Sequence, residues 1–392
     1  MRWMIEEARL GEDQREIIEE VIKTTDRPIW IQGHAGSGKS VVLIHALSDY
    51  LIRNPMANVV VVVFTRALVD LIKTGMQQIP SLENRNVDVI TIYQLDYRLN
   101  KGSSYDAIFC DEVQDLPVDL LKEMNNSCKK LVIAGDAAQS IYGFLPKWAS
   151  KPASSEEIDG SISPVKKNSS TIYRLTKSVI KALKNVFPDL EKNKTYEAGI
   201  DSEIRLLYSK ENFDLTEETE FGWNEIENDN RLRPEDVSAI LIYKREDIVF
   251  YCQQILKLND KEPWSEAKVT KFNKEDYDLE DLNNHLRSNN VPIMYVGNGV
   301  GSLKQADEEN KIIIMTYHSA KGLDFDTVLL PYISTDLGST SNENALILVS
   351  LSRAKRELLI TYTGEIYSAF KLFLNGITPV DIAKENDGEI LF

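Results

Sequence analysis

The chain has 392 residues, 61 of them acidic and 45 basic, for a formal net charge of −16 at pH 7. That balance excludes a protein that coats nucleic acid with bulk positive charge, while leaving room for a local basic groove. Cys110, Cys128 and Cys252 are too few and too scattered for a disulfide framework or a zinc cluster, so core thiols in a reducing compartment are expected. The length suits two or three domains. With no signal-peptide pattern at the start and no apolar run long enough to cross a bilayer, a cytoplasmic chain with no membrane partner is expected.

Residues 13–23 place Ile17, Ile18, Val21 and Ile22 on one face and predict a short amphipathic helix, with Gln14 near its start. A turn at Asp26-Arg27-Pro28 leads into residues 28–31, a run fit for a buried parallel strand. Next comes Gly33-His34-Ala35-Gly36-Ser37-Gly38-Lys39-Ser40, which meets the spacing Gly, four residues, Gly-Lys-Ser without a mismatch, and residues 41–47 then open a helix. In a strand–loop–helix context the backbone at Gly33, Gly36, Ser37 and Gly38 turns its N–H groups toward phosphate. Lys39 then reaches the β- and γ-phosphates and Ser40 ligates magnesium. The ligand expected is a magnesium nucleoside triphosphate.

Further apolar runs follow at residues 59–64 and 87–92. Two more end in acids: residues 105–110 run into Asp111-Glu112, and residues 130–135 into Asp136. Strands alternating with helices predict a parallel sheet whose polar groups gather at the strand carboxyl ends. There Asp111 is expected to hold the metal through water and Glu112 to polarise an attacking water. Residues 1–150 are read as one nucleotide-binding domain and 151–170, rich in Ser, Pro and Lys, as a hinge-like connection. Residues 171–392 are read as a second domain without a phosphate loop. It has a helix near 175–186 and strands at 204–208, 238–242, 312–315, 327–330 and 358–361, with weak periodicity over 259–290.

The runs Asp111-Glu112-Val113-Gln114-Asp115 and Gly135-Asp136-Ala137-Ala138-Gln139-Ser140-Ile141-Tyr142 resemble the second and third motifs of superfamily 1 helicases of the UvrD/Rep group. Gln14 resembles the family's adenine-reading glutamine. Phe64-Thr65-Arg66 and Thr91-Ile92-Tyr93 resemble two strand-end motifs that contact single strands. Tyr173-Arg174 resembles the fourth motif, the run from Thr316 to Phe325 the fifth, and Val349-Ser350-Leu351-Ser352-Arg353-Ala354-Lys355 the sixth.

The resemblance implies an α/β chain of two RecA-like, P-loop NTPase-type domains with parallel sheets and an ATP and Mg2+ site at their interface. It implies that Tyr173 stacks on adenine, that Arg174 and Arg353 reach the γ-phosphate, and that Gly322 and Asp324 belong to the nucleotide site. Gln139 would couple the γ-phosphate to the nucleic-acid face, where Phe64, Tyr142 and Phe144 stack on bases and Thr65, Thr91, Thr316 and His318 contact the strand.

Three departures stand out. Gly143-Phe144-Leu145-Pro146 replaces an arginine-bearing run, Asp324 stands where the family usually has glutamate, and both accessory subdomains have almost no sequence to form them. The expected activity is ATP-driven translocation or unwinding on single-stranded nucleic acid, DNA favoured by the resemblance. The alternative is a nucleotide-gated nucleic-acid-binding ATPase that regulates a protein partner such as a nuclease, without unwinding alone.

Overall fold

A computed structural model of the chain describes residues 3–34, 36–136, 140–141, 145–169, 171–173, 177–186, 195–196, 203–209, 214–271, 274–334, 343–375 and 380–381. Two units are distinct: the first is built mainly from Met1–Leu175, the second mainly from Ile200–Thr340 and Leu346–Phe392.

Unit 1 runs α1 (Glu12–Lys23), β1 (Ile29–Gly33), α2 (Lys39–Arg53), β2 (Val59–Val63), α3 (Arg66–Gln77), β3 (Asp88–Thr91), α4 (Ile92–Leu99), β4 (Tyr105–Cys110), α5 (Val118–Asn126), β5 (Cys128–Gly135), α6 (Ser155–Ile162) and β6 (Val165–Ser169). These six strands form a sheet in the order β3-β2-β4-β5-β1-β6, each neighbouring pair parallel. The valines of β2 are buried on both faces, as a strand covered by helices on each side requires, which explains why its sequence is a continuous apolar run. Because all the strands point one way, every carboxyl end lies along the same edge.

Residues 151–170 are not a free connection. Ser154 caps α6 by accepting from Glu157 N at 3.2 Å, and β6 pairs in parallel with β1 from Ile29–Val165 to Gly33–Ser169. The Ser- and Lys-rich composition belongs to an edge strand. Lys166 and Asn168 alternate outward to solvent while Ser169 is buried, and Lys167 pairs with Glu20 of α1 at 3.2 Å. Lysines on an exposed edge deter pairing with another chain, so they read like a linker in sequence. A short parallel pair, β7 (Thr171–Ile172) with β8 (Thr195–Tyr196), follows.

Unit 2 contains α7 (Lys177–Val186), β9 (Glu203–Ser209), α8 (Leu215–Leu232), β10 (Ser238–Ile242), α9 (Arg245–Leu258), β11 (Lys268–Lys271), β12 (Lys274–Tyr277), α10 (Leu279–Ser288), β13 (Ile293–Tyr295), α11 (Leu303–Glu308), β14 (Ile312–Thr316), β15 (Phe325–Leu330), α12 (Glu343–Leu351), β16 (Ala354–Thr363), α13 (Ser368–Phe373) and β17 (Val380–Asp381). Its sheet is also parallel throughout, in the order β13-β14-β10-β15-β16-β9-β17. The weakly periodic stretch 259–290 is an antiparallel hairpin, β11 with β12, followed by α10 with Leu279, Leu282 and Leu286 buried. Two short, different periods in succession leave no single pattern to read.

A buried acid braces unit 2. Glu218 of α8 accepts from Tyr332 N at 2.7 Å and from the hydroxyls of Thr361 and Thr363 of β16, each at 2.8 Å. Burial raises its pKa above the ordinary 4.5, and these three hydrogen bonds only partly oppose the rise. With the folded value above the unfolded one, the stabilisation from proton binding is complete below the unfolded pKa and is lost as pH rises through the folded pKa. Thermal melts taken upward from about pH 4.5 should therefore show the wild type losing stability relative to Glu218→Gln until the pH passes the raised folded pKa. A constant difference between the two proteins across that window would contradict this account.

Candidate functional site

The phosphate loop leaves β1 at Gly33 and enters α2 at Lys39. Gly36 and Gly38 hold positive φ values of 78° and 79°, the left-handed region in which an L side chain meets its own backbone. Gly38 is also crowded, since a Cβ there would lie 2.5 Å from Gln14 Nε2. At Gly33 a Cβ would collide with Ser37 Oγ and lie 2.9 Å from Ser169 O. The motif's glycines are therefore required by both backbone conformation and close approach. Lys39 Nζ donates to Gly33 O at 2.9 Å and His34 O at 3.0 Å, which holds the ammonium within the curve of the loop at the positive end of α2.

Three residues distant in sequence meet this loop. Buried Gln14 accepts from Gly11 N at 3.1 Å and donates to Ser37 O at 3.3 Å, and Ser169 Oγ donates to the same carbonyl at 2.9 Å. Tyr173 N donates to Gly36 O at 3.0 Å, while its hydroxyl donates to Asp13 Oδ1 at 2.6 Å. Gln14 and Tyr173 thus share the neighbourhood of the loop, held there by α1 and by the segment after β6.

Across the sheet edge, Ser40 Oγ donates to Asp111 Oδ2 at 2.5 Å, and Glu112 N donates to Asp111 Oδ1 at 2.9 Å. Burial pushes the Asp111 pKa up, Glu112 adds to the rise, and Ser40 and Lys39 oppose it. A hydroxyl and a carboxylate converging beside the loop form the hard oxygen set that magnesium takes together with water and substrate phosphates. Among the described residues no group of three or more His, Cys, Asp or Glu side chains could cage a metal, so this shared mode is the one the donors suit. Glu112 sits in the left-handed region at φ 58°, ψ 43°, a conformation uncommon outside glycine and often found at functional positions. Gln114 Nε2 donates to Glu112 Oε2 in a short hydrogen bond.

Along the same edge, Thr65 caps α3 by accepting from Leu68 N at 3.3 Å, and Thr91 caps α4 in a capping box with Gln94. Buried Phe64 meets Tyr93 edge-on at 6.2 Å between ring centroids, and Tyr93 stacks on Trp148 at 5.3 Å. Lys147 Nζ lies 5.4 Å from the Tyr93 ring centroid and 5.1 Å from that of Trp148, and pairs with Asp96 at 2.5 Å. Tyr93 is 43% exposed and Tyr97, one turn along α4, is 60% exposed with Lys101 over its ring. The motif reading stops short of Tyr93, Tyr97, Lys147 and Trp148 as site residues. The spacing of Tyr93 and Tyr97 on one helix face was a usable signal, whereas only the fold brings Trp148 beside them.

In unit 2, Thr316 Oγ1 donates to Ser319 Oγ at 3.0 Å and accepts from Ser319 N at 3.2 Å, and Gly322 has φ 77°. Asp324 lies two residues on, just before β15. Burial lowers the His318 pKa, which favours its neutral form. Arg353 departs from the expectation of a guanidinium presented to a phosphate. It is 2% exposed, and its Nε, Nη1 and Nη2 donate to Val349 O at 2.8 Å, Leu323 O at 2.9 Å and Ser352 Oγ at 2.9 Å. A buried guanidinium must satisfy its donors, and these acceptors make it a brace between the 316–325 and 349–355 runs. Gln139, Tyr142, Phe144 and Arg174 lie outside the described residues.

Replacing Gly38 with alanine should cost about 1–2 kcal/mol of stability from the positive φ alone. The same variant should weaken binding of a non-hydrolysable ATP analogue, because the new Cβ displaces Gln14. A thermal melt and an analogue titration matching wild type would show that neither the conformation nor the contact matters.

A family profile described as AAA domain matches residues 14–145, and one described as UvrD-like helicase C-terminal domain matches residues 273–365. No curated protein matches the chain. The first match spans the phosphate loop, the Asp111-Glu112 pair and the aromatic group at Tyr93; the second spans the run from Thr316 and Arg353. With two parallel α/β sheets beneath them, these are two RecA-like domains of the kind found in ATP-dependent helicases and translocases, and the two matches together support a UvrD/Rep-like superfamily 1 helicase.

Proposed function

We propose that this protein hydrolyses ATP with magnesium and uses the cycle to move along single-stranded nucleic acid, DNA in preference to RNA. The observation that carries this reading is the sharing of one sheet edge by Lys39, Ser40, Asp111 and Glu112 with the aromatic group of Phe64, Tyr93 and Trp148. Chemistry on a triphosphate and contact with bases would then be run by adjacent strand ends of one rigid sheet.

In this scheme Lys39 exchanges the carbonyls of Gly33 and His34 for the β- and γ-phosphate oxygens, a stronger charge-assisted pairing. Ser40 and Asp111 would hold magnesium, which would supply positive charge to offset that of the phosphates. Glu112 orients and deprotonates the attacking water. Tyr173 and Gln14, beside the loop, take the adenine. Tyr93, partly exposed with Lys147 and Trp148 alongside, stacks on a base; such stacking tolerates any base and suits movement without sequence preference. The amino ends of α3 and α4 offer N–H groups and the caps Thr65 and Thr91 to backbone phosphates.

Between β3 and β4 the described chain has only the eight-residue α4, where larger family members insert an accessory subdomain. This favours, as a second reading, a nucleotide-gated ATPase that closes on nucleic acid and acts through a partner protein.

Steady-state ATP hydrolysis by the purified protein, with and without single-stranded DNA or RNA at several salt concentrations, tests the proposal. Stimulation by DNA that declines with salt is expected, and Glu112→Gln should lower turnover by about a hundredfold or more. Hydrolysis that neither polymer stimulates would sink the autonomous motor, and stimulation without movement on single strands would favour the second reading. Tyr93→Ala should weaken single-strand affinity about tenfold, in the range for loss of one stacked base, and leave nucleotide affinity unchanged. Unaltered strand affinity would remove Tyr93 from the nucleic-acid face.

A further inference from the structure

We infer that Gln114 is a positioning residue for hydrolysis, fixing the Glu112 carboxylate and tying it to Asp136 at the end of β5. The inference rests on the reading of Glu112 given above. Gln114 is 1% exposed, and its two amide atoms face different strands. Its Oε1 accepts from Asp136 N at 3.0 Å, and its Nε2 donates to Glu112 Oε2.

The orientation of this amide follows from chemistry. A backbone N–H can only donate, so the atom facing Asp136 must be the oxygen, and the nitrogen must then face the carboxylate of Glu112. A side chain fixed at both ends, without access to water, has one useful rotamer. The carboxylate it holds belongs to a residue whose backbone is itself in the left-handed region.

The space for Gln114 is also specified. Gly135 ends β5, and a Cβ there would collide with Gln114 Oε1 and lie 2.7 Å from Val113 Cγ1. A side chain at position 135 would push the amide out of its seat. Glycine at the end of β5 and glutamine two residues after Glu112 thus form one arrangement.

The consequence is mechanical. Displacement of Asp136 relative to β4 pulls on Gln114 Oε1, and the same amide holds, through Nε2, the carboxylate read as orienting the water. Gly135 and Asp136 also begin the sequence run, 135–142, that resembles the family's third motif. Gln114 therefore gives strand contact a route to the hydrolytic group that does not pass through the phosphate loop.

Two substitutions separate the halves of the role. Gln114→Met removes both hydrogen bonds at nearly constant volume. Gln114→Glu keeps an acceptor for Asp136 N but places a second carboxylate against Glu112. Both should lower kcat for ATP about tenfold or more, as misplacement of a catalytic group does, while KM and the affinity for a fluorescent non-hydrolysable ATP analogue stay within about twofold of wild type. The ratio of kcat with and without single-stranded DNA should fall in Gln114→Met and persist in Gln114→Glu.

A change in kcat below about twofold in both variants would overturn the inference, as would parallel losses of kcat, analogue affinity and thermal stability, which mark a structural role. Should Gln114→Met fail to fold, the kcat, KM and analogue affinity of Gln114→Glu decide by the same criteria. Glu112→Gln measured alongside distinguishes the two levels. Lost hydrolysis there with unaffected Gln114 variants rejects this inference alone; retained hydrolysis rejects the reading of Glu112 and this inference with it.

Discussion

A parallel sheet covered by helices on both faces leaves its polar residues few places to go. Most side chains along β1, β2, β4 and β5 are buried, and one-way strand pairing collects their continuations at a single edge. Gly33, Phe64, Thr91, Asp111 and Asp136 stand at or just past the carboxyl ends of five different strands. They are far apart in sequence, and parallel pairing alone makes them neighbours. If β4 ran the other way, Asp111 would leave the sheet at the opposite edge and could not meet Ser40.

Bringing acids to that edge has an electrostatic cost. Asp111, Glu112, Asp115 and Asp136 are all buried there. Two of these anions are given donors: Ser40 Oγ and Glu112 N for Asp111, and Gln114 Nε2 for Glu112. The residual strain on Asp111 shows as a raised pKa, opposed by Lys39. A divalent cation and a polyanionic substrate complement such a place, since the cation offsets the acids and the lysine meets the phosphates.

Unit 2 repeats the parallel architecture with different internal bracing. Arg353 binds the run before β15 to the run before β16 through the carbonyls of Leu323 and Val349. Glu218 joins α8 to β16 and to Tyr332. Both are charged groups committed to backbone and hydroxyl partners, and both hold adjoining segments in one arrangement. The family resemblance alone assigns Arg353 a phosphate; the geometry of unit 2 adds that its donors are already engaged, so any such role requires exchanging them.

Much was legible in the sequence because it depends on local chemistry. The phosphate loop is readable since positive φ values demand glycine at Gly36 and Gly38, and a helix start demands their order. The strands at 59–64, 105–110, 238–242 and 312–315 are readable since burial on both faces leaves mostly apolar residues. Other features were decided by tertiary structure. The edge strand β6 hides in a lysine-rich stretch, because an edge exposes one side to water and its partner β1 lies far upstream. The stack of Tyr93 on Trp148 joins α4 to a segment more than fifty residues later, with no shared period. The bond from Gln114 to Asp136 depends on β4 and β5 being neighbours, as does the room for it at Gly135. Residue order sets the chemistry each strand end can offer; which strand ends stand side by side is set by sheet pairing, a long-range property that no local pattern encodes.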